Sequence, residues 1–366
     1  MNLNRRDFSR LAAFASLAPF ASSVAPFADA QEGGRTIGWC IVGLGRISMD
    51  HFMPAIKSGK KGRITALVSG HRDKAEKQAA MYGVKDSAIY SYENYDAIRD
   101  NKEIDAVYIA LPNSMHAEYT IRAAKAGKHV LCEKPMATSI ADCKAMIEAC
   151  DKAGKKLMIA YRCQYEPTNL KAIQMIRSGQ LGSVQAIESA NGFNISPGEW
   201  RLNRKLAGGG PLMDVGIYSL NACRYLTGEE PHDIHANSSV IDHDGRFNEV
   251  EENVSWTMKF PSGIIASCNT SYGADMNGYY RVHGSKGTLQ LLPAFGYQGL
   301  HLTAEIGHDR IDEPSSEKDP AHFVREADYF ADCVFTNKTP KSDGREGLRD
   351  TELMSQIYTS AGLPAL

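Results

Sequence analysis

The chain has 366 residues, which is long enough for two domains around a large core. Its 41 Lys and Arg nearly balance its 43 Asp and Glu, so the formal net charge is -2. This balance excludes the strongly basic surface typical of nucleic-acid and anionic-membrane binding, and we expect neither partner for the mature protein.

The first thirty residues have the pattern of an export signal. Arg5 and Arg6 belong to a twin-arginine stretch, an apolar run over 11–20 follows, and Ala28-Asp29-Ala30 is a small-residue cleavage site. This order predicts a bacterial Tat signal over residues 1–30, with an amphipathic N-terminal helix as the alternative. We therefore expect passage through the Tat export machinery, a mature chain from about Gln31, and a periplasmic protein.

The cysteines give no indication of a metal site or a disulfide framework. Tat carries folded proteins, so we expect folding and cofactor loading in the cytoplasm, where disulfides are rare. The eight cysteines contain no C-x-x-C pair, and most fall in apolar strand or helix patterns. We interpret them as small buried hydrophobic residues.

The mature chain begins with a predicted βαβ unit. Residues 37–42 are a predicted strand, residues 43–48 read Gly-Leu-Gly-Arg-Ile-Ser, and a helical pattern runs to about Ser58. In such a turn the first glycine allows a tight bend, the second lets the backbone approach a pyrophosphate, and the helix N-terminus favours the phosphate charge. The next predicted strand, 63–68, completes the unit, which indicates a dinucleotide-binding site.

The end of the second strand bears on the choice of nucleotide. It ends at Ser69, where an NAD-binding unit usually has an Asp or Glu for the ribose 2′-hydroxyl. Arg72 and Lys74 follow, and a hydroxyl with two cations would hold a 2′-phosphate that a carboxylate would repel. We therefore favour NADP over NAD. The alternative is that Arg72 and Lys74 are a solvated helix start, and Asp73 weakens the NADP interpretation.

The alternation of strands and helices continues to about residue 160. The predicted helices cover 73–82, 95–99, a segment ending at 126, and 141–153, and the predicted strands cover 89–92, 104–111, 129–133 and 156–160. This pattern predicts a doubly wound parallel sheet, a Rossmann domain, over residues 31–160. Asn113 follows the fourth strand at the same sheet edge as Gly43, so we expect it to face the nicotinamide side.

The fifth strand ends in an acid, a base and a proline. Residues 129–135 read His-Val-Leu-Cys-Glu-Lys-Pro, and Pro135 has no N–H to continue the ladder. Glu133 and Lys134 should therefore lie at a carboxyl strand end, the edge at which open α/β sheets bind ligands. The alternative is an ordinary surface turn.

From residue 161 the pattern changes to segments that alternate with period two. The predicted strands cover 183–189, 250–260, 264–272, 279–283 and 288–292. They predict an α+β domain over residues 161–366 with an open, mostly antiparallel sheet, giving an α/β protein overall. A face of this sheet could form a homo-oligomer interface, and we favour a dimer.

A glycine run lies between the first two of these strands. Residues 208–210 are all glycine, which permits close backbone approach. Asp214 and Tyr218 follow and are four residues apart, so they should share one face of a helix. The alternative is a buried Asp that caps a helix and a Tyr in the core.

Taken together, these stretches resemble the Gfo/Idh/MocA family of oxidoreductases. The likeness rests on the Gly43-x-Gly45 turn, on Glu133-Lys134-Pro135 and on the segment 208–216, and it runs from about Ile37 to the C-terminus. Tyr218, where many members have His, resembles the glucose–fructose and aldose–aldose oxidoreductases within the family. So do residues 111–114, 161–163 and 200–202.

The resemblance implies sugar transhydrogenation with an NADP that stays bound. It implies that Lys134 orients the sugar C1 hydroxyl, Tyr218 takes its proton as general base, and Asp214 hydrogen-bonds the sugar. Arg162 would lie beside cofactor and substrate, and Tyr297 would line the pocket. We also expect the Lys134 ammonium to lower the pKa of Tyr218.

The expected nucleotide contacts combine the motif and the resemblance. They are Gly43, Leu44, Gly45, Arg46, Ile47, Ser69, Gly70, Arg72, Lys74, Tyr92, Leu111, Pro112, Asn113, His116, Glu133, Lys134, Arg162, Trp200 and Arg201.

The chain departs from the resemblance in one respect. Glucose–fructose oxidoreductase carries a long proline-rich N-terminal arm that covers the nucleotide of a neighbouring subunit, and here only about six residues separate Gln31 from the first strand. Two other activities stay open: an NADP-dependent aldose dehydrogenase with exchangeable cofactor, and an NAD-dependent glycosidase of the same family. Ser69 and Tyr218 argue against the glycosidase. A non-catalytic sugar sensor would not need both Lys134 and Tyr218.

Overall fold

The computed structural model describes residues 35–366, and the predicted Tat signal lies outside them. The strands are β1 (Ile37–Val42), β2 (Gly62–Val68), β3 (Ile89–Tyr90), β4 (Ala106–Ile109), β5 (His129–Glu133), β6 (Leu157–Ala160), β7 (Val184–Gly192), β8 (His232–Ser239), β9 (Asn253–Lys259), β10 (Ile265–Ser271), β11 (Tyr279–Gly284), β12 (Gly287–Leu291), β13 (His301–Ile306) and β14 (Asp309–Pro314).

The helices include two short π-helical turns. The α-helices are α1 (Met53–Ser58), α2 (Arg72–Tyr82), α3 (His116–Lys125), α4 (Ile140–Ala153), α5 (Pro167–Arg177), α6 (Arg204–Ala207), α7 (Ile217–Thr227), α8 (Ala321–Phe335) and α9 (Gly344–Ser360). The π-helical turns are Ile47–Phe52, which leads into α1, and Leu212–Gly216, which leads into α7.

The first six strands form one parallel sheet in the order β3-β2-β1-β4-β5-β6. Every residue of β1, β4 and β6 is buried, as expected for parallel strands covered on both faces. The predicted doubly wound Rossmann sheet is therefore confirmed. Its fourth strand is shorter than predicted, because only Ala106–Ile109 pairs with both neighbours.

The remaining eight strands form a second sheet in the order β14-β13-β12-β11-β7-β10-β9-β8. Only β7 and β10 pair in parallel, so the predicted mostly antiparallel sheet is confirmed. The sequence pattern missed β8, β13 and β14. The two edge strands are rich in Asp, Asn and other polar residues that are rare in strand interiors, since an edge strand has no second neighbour to exclude water.

The two C-terminal helices return to the first sheet. Trp39 of β1 packs against Phe330 of α8 with ring centroids 5.5 Å apart, and the Ile159 N–H of β6 donates to the Ser342 carbonyl at 2.8 Å. Residues 36–366 accordingly form one compact unit, and a boundary at residue 160 separates the sheets but not the helices.

All eight cysteines are buried and free, which confirms their interpretation as small hydrophobic residues. Among the described residues, no helix combines the length and apolar character needed to span a membrane.

Candidate active site

The glycine-rich turn follows β1 and is shaped for close approach from one side. Gly43 has φ +94°, and a Cβ there would lie 2.4 Å from the Ala110 carbonyl oxygen, so both its conformation and its surroundings require glycine. A Cβ at Gly45 would meet no protein atom within 4 Å. Gly45 thus borders an open cradle at the start of a helix, a shape that fits a dinucleotide phosphate.

Some residues around this turn stabilise its conformation, and others are exposed to solvent. The Ser48 hydroxyl donates to the Gly43 carbonyl at 2.6 Å, so this small residue fastens the turn from inside. Leu44 is buried and Ile47 is half-buried, whereas Arg46 is exposed at the tip.

The predicted 2′-phosphate residues lie at the end of β2 but differ in their surroundings. The Ser69 hydroxyl accepts from the His71 N–H at 3.0 Å, and a Cβ at Gly70 would lie 3.2 Å from the Tyr92 ring. Ser69, Gly70 and Tyr92 therefore lie together at the end of β2, with half-buried Lys74 one turn further along α2.

Arg72 is less available than the sequence indicated. Its Nε donates to Glu76 at 2.8 Å, and its Nη2 pairs with Asp86. The charge of Arg72 is thus shared with two carboxylates of the protein, so a 2′-phosphate would have to compete with them.

Asn113 and His116, two of the predicted nucleotide contacts, form hydrogen bonds to backbone carbonyls at the carboxyl edge of the first sheet. Asn113 is buried, and its side-chain amide donates to the Ala207 carbonyl at 2.8 Å. His116 is also buried, with its ring nitrogens 3.0 Å from the Leu111 carbonyl and 2.9 Å from the Pro135 carbonyl. These contacts hold the turn 111–113 against the Glu-Lys-Pro segment, so the side chain of His116 serves the protein rather than a ligand.

Lys134, directly after β5, meets Asp214, in the π-helical turn that precedes α7. The Lys134 ammonium donates to Asp214 Oδ1 at 3.1 Å and to the Asp214 backbone carbonyl at 2.6 Å. Glu133, the neighbour of Lys134, accepts from the Tyr108 hydroxyl at 2.6 Å, which fixes the strand end. The structure therefore brings the Glu-Lys-Pro segment and the turn that carries Asp214 together.

Two further side chains hold the other oxygen of Asp214. Arg201 Nε donates to Asp214 Oδ2 at 2.8 Å, and the Tyr272 hydroxyl donates to the same oxygen at 2.9 Å. Burial opposes ionisation of Asp214, but the charges of Lys134 and Arg201 outweigh it and lower the pKa of this carboxyl to about 2. Asp214 is therefore a carboxylate at neutral pH, and Arg201, expected at the nucleotide, is paired with it.

Tyr218 lies on the same side of its helix as Asp214, as predicted. The π-helical turn Leu212–Gly216 carries Asp214 and leads directly into α7, which carries Tyr218. The Lys134 ammonium, which bonds to Asp214, also lies 4.8 Å from the centroid of the Tyr218 ring. Widened turns of this kind are often found at functional sites.

The expectation that Lys134 lowers the pKa of Tyr218 is wrong for the protein alone. Burial raises the pKa of Tyr218 well above its usual value, and Arg162, not Lys134, is the cation that most opposes this rise. The hydrogen bonds of the Lys134 ammonium go to Asp214, and its contact with Tyr218 is with the ring, 4.8 Å from the centroid.

Arg162 joins two of the predicted substrate residues. Its guanidinium carbon lies 4.4 Å from the Tyr297 ring centroid and 5.3 Å from that of Tyr218. It also donates to the carbonyls of Phe295 and Gly296, which holds the 295–297 segment beside Tyr218. The structure therefore brings Arg162, Tyr218 and Tyr297 together.

The glycine run 208–210 serves the chain itself. A Cβ at Gly209 would lie 2.1 Å from the Tyr358 hydroxyl, and one at Gly210 would lie 2.5 Å from the Glu251 carbonyl oxygen. The Glu251 carboxylate accepts from the Gly210 N–H at 2.9 Å and from the Tyr358 hydroxyl at 2.8 Å. The predicted close approach is confirmed, and it brings a buried carboxylate under the turn that carries Asp214.

Sequence reasoning missed Tyr272, Glu251 and Glu199. Tyr272 follows the last residue of β10, so its position at a predicted strand end was the one available signal. Glu251 and Glu199 lie in connecting segments, and no motif marks them.

Comparison with known proteins agrees with this geometry. Residues 37–161 match the oxidoreductase family with an NAD-binding Rossmann fold, Gfo/Idh/MocA, and residues 169–290 match the C-terminal domain of that family. A D-xylose 1-dehydrogenase [NADP(+)] of Haloarcula marismortui is 32% identical over 350 residues, which cover 91% of this chain and 94% of that protein.

Solved structures give the same result. The structure of an aldose–aldose oxidoreductase from Caulobacter crescentus, complexed with glycerol, is similar with a TM-score of 0.86 and 45% identity over 90% of this chain and 98% of that one. A 3-ketoreductase from Actinomadura kijaniata, in complex with NADP and TDP-benzene, has a TM-score of 0.79 at 22% identity over 89% of this chain and 98% of that one, and shows the fold alone. The chain therefore belongs to the Gfo/Idh/MocA family of oxidoreductases, with an NAD(P)-binding Rossmann domain and the C-terminal domain of that family.

Proposed function

We propose that this protein is a periplasmic, NADP-dependent sugar oxidoreductase that oxidises an aldose to its lactone. In the proposal NADP stays bound, and the hydride passes to a second sugar, an aldose or a ketose, to give an alditol. The observation that carries the proposal is the contact of Lys134 with Asp214, at 3.1 Å, and with the Tyr218 ring, at 4.8 Å, beside the dinucleotide-binding sheet. The 45% identity to an aldose–aldose oxidoreductase supports the same substrate class.

The side chains divide the chemistry between them. Bound nicotinamide supplies the hydride acceptor for the first sugar and the hydride donor for the second. Lys134 donates to the C1 oxygen of the first sugar, on which negative charge develops as the hydride leaves. Tyr218 takes the hydroxyl proton and later returns a proton to the carbonyl oxygen of the second sugar, so the two half-reactions balance in hydride and proton.

Asp214 has room for one sugar hydroxyl. A carboxylate offers about four acceptor positions, and the side chains of Lys134, Arg201 and Tyr272 already use three of those of Asp214. A hydroxyl next to the reacting carbon can take the fourth, which would orient the ring relative to Lys134.

The expected periplasmic location supports the proposal that the cofactor stays bound. The predicted Tat signal would place the folded enzyme outside the cytoplasm, where we expect no useful pool of free NADP. An enzyme that released its reduced cofactor there would turn over once. A single site that oxidises one sugar and reduces another avoids this limit.

A simple NADP-dependent aldose dehydrogenase is the second candidate. It is favoured by the 32% identity to a D-xylose 1-dehydrogenase [NADP(+)]. The two candidates differ in whether the nucleotide must be supplied in amounts equal to the product.

The test uses purified mature protein with no added nucleotide. An aldose alone should convert at most one bound equivalent of nucleotide to the reduced form, and a second sugar should then reoxidise it and sustain lactone formation over many turnovers. A protein that elutes empty and needs stoichiometric NADP would assign the dehydrogenase activity instead. Nucleotide released by denaturation should be NADP, and finding NAD would contradict the assignment from Ser69.

A further inference from the structure

A row of alternating charges joins the two halves of the active site. Arg201 donates to Asp214 at 2.8 Å, and its Nη1 lies 3.9 Å from the carboxylate of Glu199. Glu199 in turn lies 3.7 Å from Nη2 of Arg46, at the exposed tip of the glycine-rich turn. The row therefore runs from the sugar-binding carboxylate of one domain to the nucleotide turn of the other.

The links of this row differ in strength because they differ in exposure. The side chain of Asp214 is 15% exposed, whereas that of Arg46 is 87% exposed. Water and salt screen the outer link, Arg46 to Glu199, so it contributes little to folding. The inner link, Arg201 to Asp214, is short and sheltered. The contact of Arg201 with Asp214 is therefore the stable end of the row, and the contact of Glu199 with Arg46 is the one that breaks easily.

The segment that carries the row is fixed to the second domain. The Arg201 guanidinium lies 4.7 Å from the Trp200 ring centroid, and Leu202 packs against the small apolar cluster that contains Ile195 and Tyr272. Glu199, at the start of this short turn, reaches back to the glycine-rich turn through its contact with Arg46.

We propose that Glu199 is a positioning residue that closes the turn 199–202, the clasp, over the nucleotide turn and slows the release of NADP. The proposal rests on the proposed function, because it takes the glycine-rich turn as the NADP site. Since Arg201 belongs to the clasp and contacts Asp214, a sugar bound at Asp214 should bias the clasp, and sugar and nucleotide should affect each other's binding by the same factor.

The test is the release rate of NADPH from Glu199→Gln, a change that removes the charge and keeps the shape. Loaded protein is chased with excess NADP, and the loss of fluorescence from bound NADPH gives a first-order rate. Exposed ion pairs contribute about 0.2–1 kcal/mol, so release should quicken about 1.4- to fivefold at low salt. High salt should bring the wild type to the rate of the variant, because it screens the same link.

Glu305→Gln is the matched control. Glu305 pairs with Arg310 at 4.0 Å between two strands of the second sheet, also at an exposed site, and its loss should leave the release rate unchanged. A Glu199→Gln variant that releases NADPH at the wild-type rate at low salt would overturn the clasp. So would a lower unfolding temperature of the nucleotide-free variant, which would indicate a structural role.

These outcomes are distinct from a failure of the proposed function. If the wild type transfers hydride between sugars while Glu199→Gln releases NADPH normally, the clasp is wrong and the activity stands. If the wild type holds no nucleotide and transfers no hydride, the proposed function is wrong.

Discussion

Two glycine-rich turns face the active site from opposite domains, and they use glycine for different ends. A Cβ at Gly45 would meet no protein atom within 4 Å, whereas Cβ atoms at Gly209 and Gly210 would lie 2.1 Å and 2.5 Å from other parts of the chain. The first turn leaves room for a ligand, and the second is filled by the protein itself. Glycines in a turn thus predict that another group comes close to the backbone, and the structure shows whether that group can be a ligand or is another part of the protein.

This difference suggests that the first turn serves nucleotide binding and the second turn serves catalysis and stability. The first turn offers backbone donors and a cradle, so changes there should alter nucleotide affinity. The second turn rests on the buried carboxylate of Glu251 and carries Asp214 and Tyr218, so changes there should alter stability or turnover. The following predictions test this division.

The largest effect is expected for Tyr218→Phe, which removes the proton acceptor and keeps the ring. Turnover should fall about a hundred- to ten-thousand-fold, with the nucleotide still bound. Steady-state rates and the nucleotide content of the purified variant provide the measurement. Near-normal turnover would assign the proton to Lys134 or to water.

The pH dependence tests the same residue in the wild type. Because burial raises the pKa of Tyr218, its basic form is scarce at neutral pH and should increase about tenfold with each pH unit. The rate at which an aldose reduces the bound nucleotide in a single turnover should therefore rise steadily from about pH 7 to about pH 9. A rate that is flat across this range would show that ionisation of Tyr218 does not limit the step.

Gly210→Ala should damage the second turn through packing. The added carbon would lie 2.5 Å from the Glu251 carbonyl oxygen, and overpacking of this kind costs about 1–3 kcal/mol of unfolding free energy. Denaturant unfolding of the nucleotide-free protein measures the loss. Unchanged stability would mean that the turn is not filled in the way described.

Gly45→Val should show the opposite behaviour. Its Cβ would enter the cradle with no protein atom within 4 Å, so the unfolding free energy of the nucleotide-free protein should change little. The affinity for NADP, measured by titration calorimetry, should fall at least tenfold, or about 1.4 kcal/mol. Gly45→Ala is the graded control and should have a smaller effect. A loss of stability with unchanged affinity would reverse the roles of the two turns.

The smallest effect is expected for Tyr272→Phe. It removes one hydrogen bond to the Asp214 carboxylate, a type of contact that contributes about 1.5–3 kcal/mol. Because Lys134 and Arg201 still hold Asp214, only part of this contribution should be lost, and kcat/KM for the sugar should fall less than tenfold. An unchanged value would show that Tyr272 does not help to position Asp214.

The parts that the sequence predicted well are those with strong local patterns. The buried parallel strands β1, β4 and β5 are apolar runs, so the first sheet could be predicted with its ligand-binding edge. Lys134 immediately precedes a proline and Asp214 follows a glycine run, so each lies next to a recognisable sequence signal, and the structure brings the two together. Polar edge strands such as β8 and β14 lack such a pattern.

Contacts between distant segments could not be predicted. The Tyr358 hydroxyl bonds to Glu251 across 107 residues, and the Tyr272 hydroxyl reaches Asp214 across 58. Such pairs depend on how the second sheet and the last helix pack together. The rise in the pKa of Tyr218 was also missed, because it comes from burial, which spacing along the chain does not reveal.

Isotope transfer between two sugars tests whether the nucleotide carries the hydride without leaving the protein. In the proposed function, the nucleotide bound in the first turn carries a hydride between two sugars held at the second. Purified protein is given an aldose deuterated at C1, together with an unlabelled acceptor sugar and no free nucleotide, and the products are analysed by mass spectrometry. The deuterium should appear on the former carbonyl carbon of the alditol. An alditol without deuterium, or a lactone formed only when NADP is supplied, would contradict the proposed function.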